Sequence, residues 1–170
     1  MARFEGMGIG LSCGNFKGSD VARKIFGPEQ SIQSQMTVEA ALARVQARLG
    51  VIPQAASDEI NRKAHVELLD EEEYRHQYAV TNHPLVCLIR AFASICEGDA
   101  GEYIHYGTTT QDIIDTAMML QLKQAYEVIQ DKTQRLRDRI AELSRQYRDL
   151  VMIGRTNERE DAGAVRSGYS

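Results

Sequence analysis

An all-α fold is the expectation for this chain, an N-terminal helical domain followed by the first long helix of a central helical bundle. Three observations carry it. Apolar residues recur at three- and four-residue steps in successive windows. Gly and Pro stand between those windows, where helices stop and start. One late segment keeps close to a seven-residue apolar repeat over about ten turns. The expected division is an N-terminal arm over residues 1–18, a helical domain over 19–108, the long helix over 109–150, and a loop and tail over 151–170.

The arm is rich in Gly and Ser and has no apolar period, so it is expected to order only against another surface. Ser19-Asp20 then offers a helix cap. Val21, Ala22, Ile25 and Phe26 form an apolar cluster, and Gly27-Pro28 closes that short helix. Ile32, Met36, Val38, Ala41, Leu42, Val45 and Leu49 predict a helix of about five turns that Gly50 stops. Pro53 suits a first helical turn, and Ala55, Ala56, Ile60 and Ala64 follow as a short helix. The acidic run Asp70 to Glu73 is expected on the solvent side after it.

After Pro84, the residues Leu85, Val86, Leu88, Ile89, Phe92, Ala93 and Ile95 are apolar around most of a helix circumference, so this helix belongs in the middle of the domain. Gly98 ends it. Ile114, Met118, Leu122, Ala125, Ile129, Leu136, Ile140, Leu143 and Tyr147 then mark the long helix, roughly 57 Å from Gln111 to Arg148 at 1.5 Å per residue. An apolar seam of that length needs a partner, from further helices or from copies of itself. The residues from Glu158 onward lose the period and are expected to lack fixed structure.

With 170 residues, 43% of them hydrophobic, the chain can bury one substantial core. Its 20 basic and 24 acidic side chains are interspersed and sum to -4, leaving no basic stripe for a phosphate backbone, so nucleic acid is not an expected partner. No apolar run approaches the roughly 20 residues that span a bilayer. Cys13, Cys87 and Cys96 have neither an even count nor C-x-x-C spacing, which points to reduced thiols and to the cytosol.

Chemistry concentrates around Gly107. Thr109-Thr110-Gln111-Asp112 has the form of a capping box, a Thr hydroxyl serving a free N–H and Asp112 reaching back. Three consecutive threonines supply more hydroxyls than one cap uses, and they stand at the positive end of a very long helix. A carboxylate or phosphate fits there. His105 adds a donor that can charge near neutral pH. His83, before Pro84, is either a helix-entry residue or a second imidazole toward the same anion, while His65 and His76 sit among charges as surface residues. Gly154-Arg155-Thr156-Asn157 forms a turn beyond the long helix. Neither H-E-x-x-H, a Cys/His cluster, G-x-S-x-G nor a phosphate loop occurs.

The run Tyr103 to Ala117, with His105-Tyr106-Gly107-Thr108-Thr109-Thr110-Gln111-Asp112 at its centre, followed by a long helix and Met152-Ile153-Gly154-Arg155-Thr156, resembles the fumarase/aspartase superfamily. Val38-Glu39-Ala40-Ala41-Leu42-Ala43, Leu49 to Pro53, and Asn82 to Val86 fit the first domain of the same family. The match runs from about Ser19 to Thr156 and is nearest to adenylosuccinate lyases and 3-carboxy-cis,cis-muconate cycloisomerases. It implies a homotetramer with composite active sites, and anti β-elimination releasing fumarate, or related lactone chemistry, with no metal or organic cofactor. It also implies that Thr109 and Thr110 hold a substrate carboxylate, that Gln111 and Asp112 shape the loop, and that His105 and His83 face the substrate.

Three positions depart from the pattern. Asn157 stands where the family carries a catalytic histidine, and an amide transfers no proton at neutral pH. Asn15-Phe16 replaces an Arg-Tyr pair that serves nucleotide phosphate, and Pro84 replaces an Asp. The family pattern fades after Thr156, as a truncated or frameshifted product would show. The expectation is a polypeptide that binds a dicarboxylate substrate better than it reacts and associates through its long helix. A non-catalytic helical association module is the rival from another class.

Overall fold

The computed structural model describes Phe4, residues 20–153 and residues 164–166. Among the described residues six α-helices run in chain order: α1 (Asp20–Phe26), α2 (Pro28–Arg48), α3 (Gln54–Lys63), α4 (Glu71–Thr81), α5 (Pro84–Ser94) and α6 (Thr110–Gln146). Two short strands follow, β1 (Val151–Ile153) and β2 (Ala164–Arg166). The chain divides into two compact units, residues 1–125 and 126–170.

The first unit is built as its punctuation dictates. Gly27 closes α1 and caps α2, whose first position is Pro28. A Cβ at Gly27 would lie 2.7 Å from the carbonyl oxygen of Arg23, so no larger residue fits that corner. At the other end of α2, Gly50 takes a φ of 70°, its N–H bonds to Ala47, and the Val51 N–H bonds to Gln46. These two bonds satisfy the last carbonyls of the helix. Ile32, Met36, Ala40 and Ala43 of α2 pack with Ile60 of α3 and with Leu85, Cys87, Leu88, Ala91 and Phe92 of α5. Each large side chain buried in this way contributes on the order of 1.5–3 kcal/mol.

Helix α4 lies where the sequence suggested only an acidic surface run. Its apolar face is thin, with Tyr74 as its buried residue, but Asp70 caps it by accepting from the Glu72 and Glu73 N–H groups. The Tyr74 hydroxyl donates to the Pro84 carbonyl at 2.9 Å, tying α4 to α5. Phe4 is the described residue of the arm that was expected to order only against another surface. It is fully buried, and its ring meets that of Tyr74 edge-on at 5.3 Å.

The long helix begins where residues 109–150 were expected to form it and is shared by the two units, whose division falls between Ala125 and Tyr126. Its first turns carry a buried stripe. Ile113, Ala117 and Gln121, spaced by four, are buried in the first unit. The heptad positions Leu122, Ile129, Leu136 and Ile140 are instead exposed.

In the second unit, β1 and β2 pair antiparallel, with Val151 opposite Arg166 and Ile153 opposite Ala164. A loop and an unstructured tail were expected at 151–170, and the pair corrects that for these six positions. Val151, Ile153 and Val165 are β-branched types, a strand signal too short to register in the sequence. Among the described residues no helix is long and apolar enough to cross a membrane.

Candidate functional site

The loop between α5 and α6 is anchored from below by Ala100 and Ile104, both buried. A turn of 3₁₀ helix (Ala100–Tyr103) leads into it. His105, two residues beyond that turn, has a φ of 63°, a left-handed conformation that costs a side chain about 1–2 kcal/mol. Gly107 adopts a φ of 69°, where it has no such penalty. The loop therefore turns twice through left-handed backbone, and the turn at His105 needs support.

Glu39 supplies that support from the middle of α2. Its Oε2 accepts the His105 backbone N–H at 3.0 Å, and its Oε1 lies 2.6 Å from His105 Nδ1. The carboxylate is 2% exposed and the imidazole 16%. Burial pushes the Glu39 carboxyl above its ordinary value, and the hydrogen bonds and charge of His105 pull against that rise. A second brace comes from Gln46, whose Nε2 donates to the Tyr106 carbonyl at 2.7 Å. Its Oε1 is buried without a partner among the described residues.

At the start of α6, one half of the anticipated capping box forms. Asp112 Oδ2 accepts the Thr109 N–H at 3.3 Å and the Thr108 hydroxyl at 3.2 Å, while the Asp112 N–H bonds to the Thr109 carbonyl. The hydroxyls of Thr109 and Thr110 enter no hydrogen bond among the described residues, nor do the N–H groups of Thr110 and Gln111. Gln111 directs its amide to Asp115 at 2.7 Å. Two hydroxyls and two backbone donors are thus left at the positive end of a 37-residue helix, which suits a carboxylate.

His83 caps α5, its Nδ1 accepting the Val86 N–H at 3.4 Å. It and His105 share no hydrogen bond among the described residues. His65 and His76 are exposed. Asn157, with Gly154, Arg155 and Thr156, lies outside the described residues, as does Cys13. Cys87 and Cys96 are free thiols. No group of three or more His, Cys, Asp or Glu among the described residues could hold a metal.

Glu39 and Gln46 are the site residues that the sequence did not single out. A signal for Glu39 existed: a carboxylate sits on the core-facing stripe of α2, between Met36 and Ala43. Buried carboxylates need a partner.

A family model described as Lyase matches residues 14–169. The adenylosuccinate lyase of Methanocaldococcus jannaschii is 42% identical over 140 residues, covering 82% of this chain and 30% of that protein. The crystal structure of a fumarate lyase from Mesorhizobium sp. BNC1 superposes with a TM-score of 0.75 at 35% identity, covering 83% of this chain and 33% of the other. The structure of β-carboxy-cis,cis-muconate cycloisomerase from Acinetobacter calcoaceticus sp. ADP1 gives 0.72 at 31% identity, covering 81% and 33%. The chain spans about a third of the length of these relatives.

Proposed function

Because the chain belongs to the lyase family, within the fumarase/aspartase superfamily, we propose that its His105–Asp112 loop holds one carboxylate of a dicarboxylate substrate in a fumarate-releasing elimination of the adenylosuccinate lyase type. The observation that carries this reading is the set of unused donors at the start of α6, the Thr109 and Thr110 hydroxyls beside the Thr110 and Gln111 N–H groups. In an anti β-elimination, a base removes the proton beside a carboxylate, the C–N bond breaks and an acid protonates the departing nitrogen. Negative charge builds on that carboxylate, so donors aimed at it lower the barrier. Thr109 and Thr110 serve as those donors, with Gln111 shaping the loop and His105 and His83 facing the substrate.

Asn157 stands at the family's histidine position and has no proton to give at neutral pH. The chain is therefore expected to bind a dicarboxylate without turning it over by itself. An assay following fumarate absorbance with adenylosuccinate as substrate tests both halves. Absence of turnover with measurable fumarate binding supports the reading, whereas turnover by the chain alone contradicts its inert half.

A cycloisomerase of the carboxymuconate type is the second reading, favoured by the similarity to the Acinetobacter structure and by the Gln111-Asp112 pair. Self-association through α6 completes the proposal, because Ile129, Leu136 and Ile140 are each more than half exposed on it. Sedimentation would give an oligomer if so and a monomer if not. The free thiols Cys87 and Cys96 suit a reducing cytosol.

A further inference from the structure

We propose that Glu39 is a positioning residue for this site: by holding both the backbone N–H and the ring Nδ1 of His105, it fixes which ring nitrogen carries the proton and leaves Nε2 as a bare acceptor facing the substrate. The inference rests on the reading of the loop as a carboxylate site. Its geometry is specific. Glu39 Oε2 accepts a backbone N–H at 3.0 Å, so that oxygen is an acceptor, and Oε1 meets Nδ1 at 2.6 Å. An ionised carboxylate accepts at both oxygens, which puts the proton on Nδ1.

Nε2 has no hydrogen-bond partner among the described residues. It is thus the ring nitrogen left for a ligand. A carboxylate that grips backbone and ring together also holds the left-handed conformation of His105, and so fixes where the imidazole stands relative to Gly107 and the threonines. Glu39 reaches no reacting atom. It acts through His105, as an outer carboxylate orients an imidazole in other sites.

The test is nitrogen-15 NMR of the whole chain labelled at histidine and at backbone amides, with fumarate as the probe. At neutral pH the wild-type His105 is expected to carry its proton on Nδ1. In Glu39→Gln the amide oxygen keeps the backbone N–H and the amide NH₂ faces Nδ1, so the proton is expected to move to Nε2. Fumarate, which only accepts, then meets an Nε2–H donor in place of a lone pair and is expected to bind roughly tenfold more tightly, about 1.4 kcal/mol, while still moving the Thr109 and Thr110 amides. Glu39→Asp, which retains a carboxylate, is expected to restore the Nδ1 proton.

A wild-type ring with a bare Nδ1 overturns the inference, and this measurement stands even if Glu39→Gln fails to fold. An unchanged tautomer and unchanged fumarate affinity in Glu39→Gln overturn it as well. If fumarate leaves the wild-type Thr109 and Thr110 amides unmoved, the reading of the loop itself fails, together with the proposal that Nε2 faces the substrate, whichever tautomer is found.

Discussion

The Gln121 side chain donates from Nε2 to the Ile25 carbonyl at 2.6 Å and to the Ser31 hydroxyl at 3.1 Å. Gln121 is 2% exposed and lies on α6, while its acceptors belong to the end of α1 and the first turn of α2. One amide therefore fastens three helices. Gln121→Leu would leave the carbonyl and the hydroxyl unpaired in the core, at a cost of about 1–3 kcal/mol each. We expect a clearly lower urea midpoint with an unchanged slope. A midpoint equal to wild type would show that water replaces the amide.

The raised pKa of Glu39 gives stability a defined dependence on pH. The folded state holds the proton more tightly than the unfolded state does, so this contribution is fully present below the unfolded value. It is lost as pH rises through the folded value, with a slope of no more than about 1.4 kcal/mol per pH unit. Urea midpoints measured upward from the ordinary carboxylate range should fall in wild type. In Glu39→Gln that part of the slope should vanish.

The threonines separate binding from stability. The Thr109 hydroxyl makes no capping bond, so Thr109→Ala is expected to change stability by less than about 0.5 kcal/mol, below the ~1 kcal/mol of a side-chain N-cap. The same substitution should weaken fumarate binding several-fold. Asp112→Ala removes the acceptor of the Thr109 N–H and Thr108 hydroxyl, and is expected to cost about 1 kcal/mol. Paired titrations and urea melts of the two variants check the contrast.

Burial pushes the Cys96 thiol up to about 11, and Cys87 is fully buried. Thiolate is the reactive form, so neither should alkylate readily in the native chain at neutral pH. Peptide mapping after brief iodoacetamide treatment is expected to show both unmodified until urea is added. Rapid native labelling of either would contradict their packing.

Much of this architecture could be read from the chain because its signals are local. Apolar stripes and Gly or Pro punctuation announce α2, α5 and α6, and Gly50 ends α2 as its position suggests. Helix α4 was missed because Tyr74 alone of its residues is buried, and its best marker, an Asp70 cap, looks like part of an acidic surface run. The threonine loop was legible as a run of hydroxyls beside a glycine. Its brace was not, since Glu39 and His105 lie 66 positions apart and no spacing rule joins them. Phe4 was hidden for the same reason, its partner Tyr74 being far along the chain.

The most direct test of the central claim is a crystal structure of the chain with fumarate. One carboxylate is expected within hydrogen-bond distance of the Thr109 and Thr110 hydroxyls and of the N–H groups that open α6. Fumarate seated elsewhere, or those donors turned to other protein groups with no carboxylate among them, would contradict it.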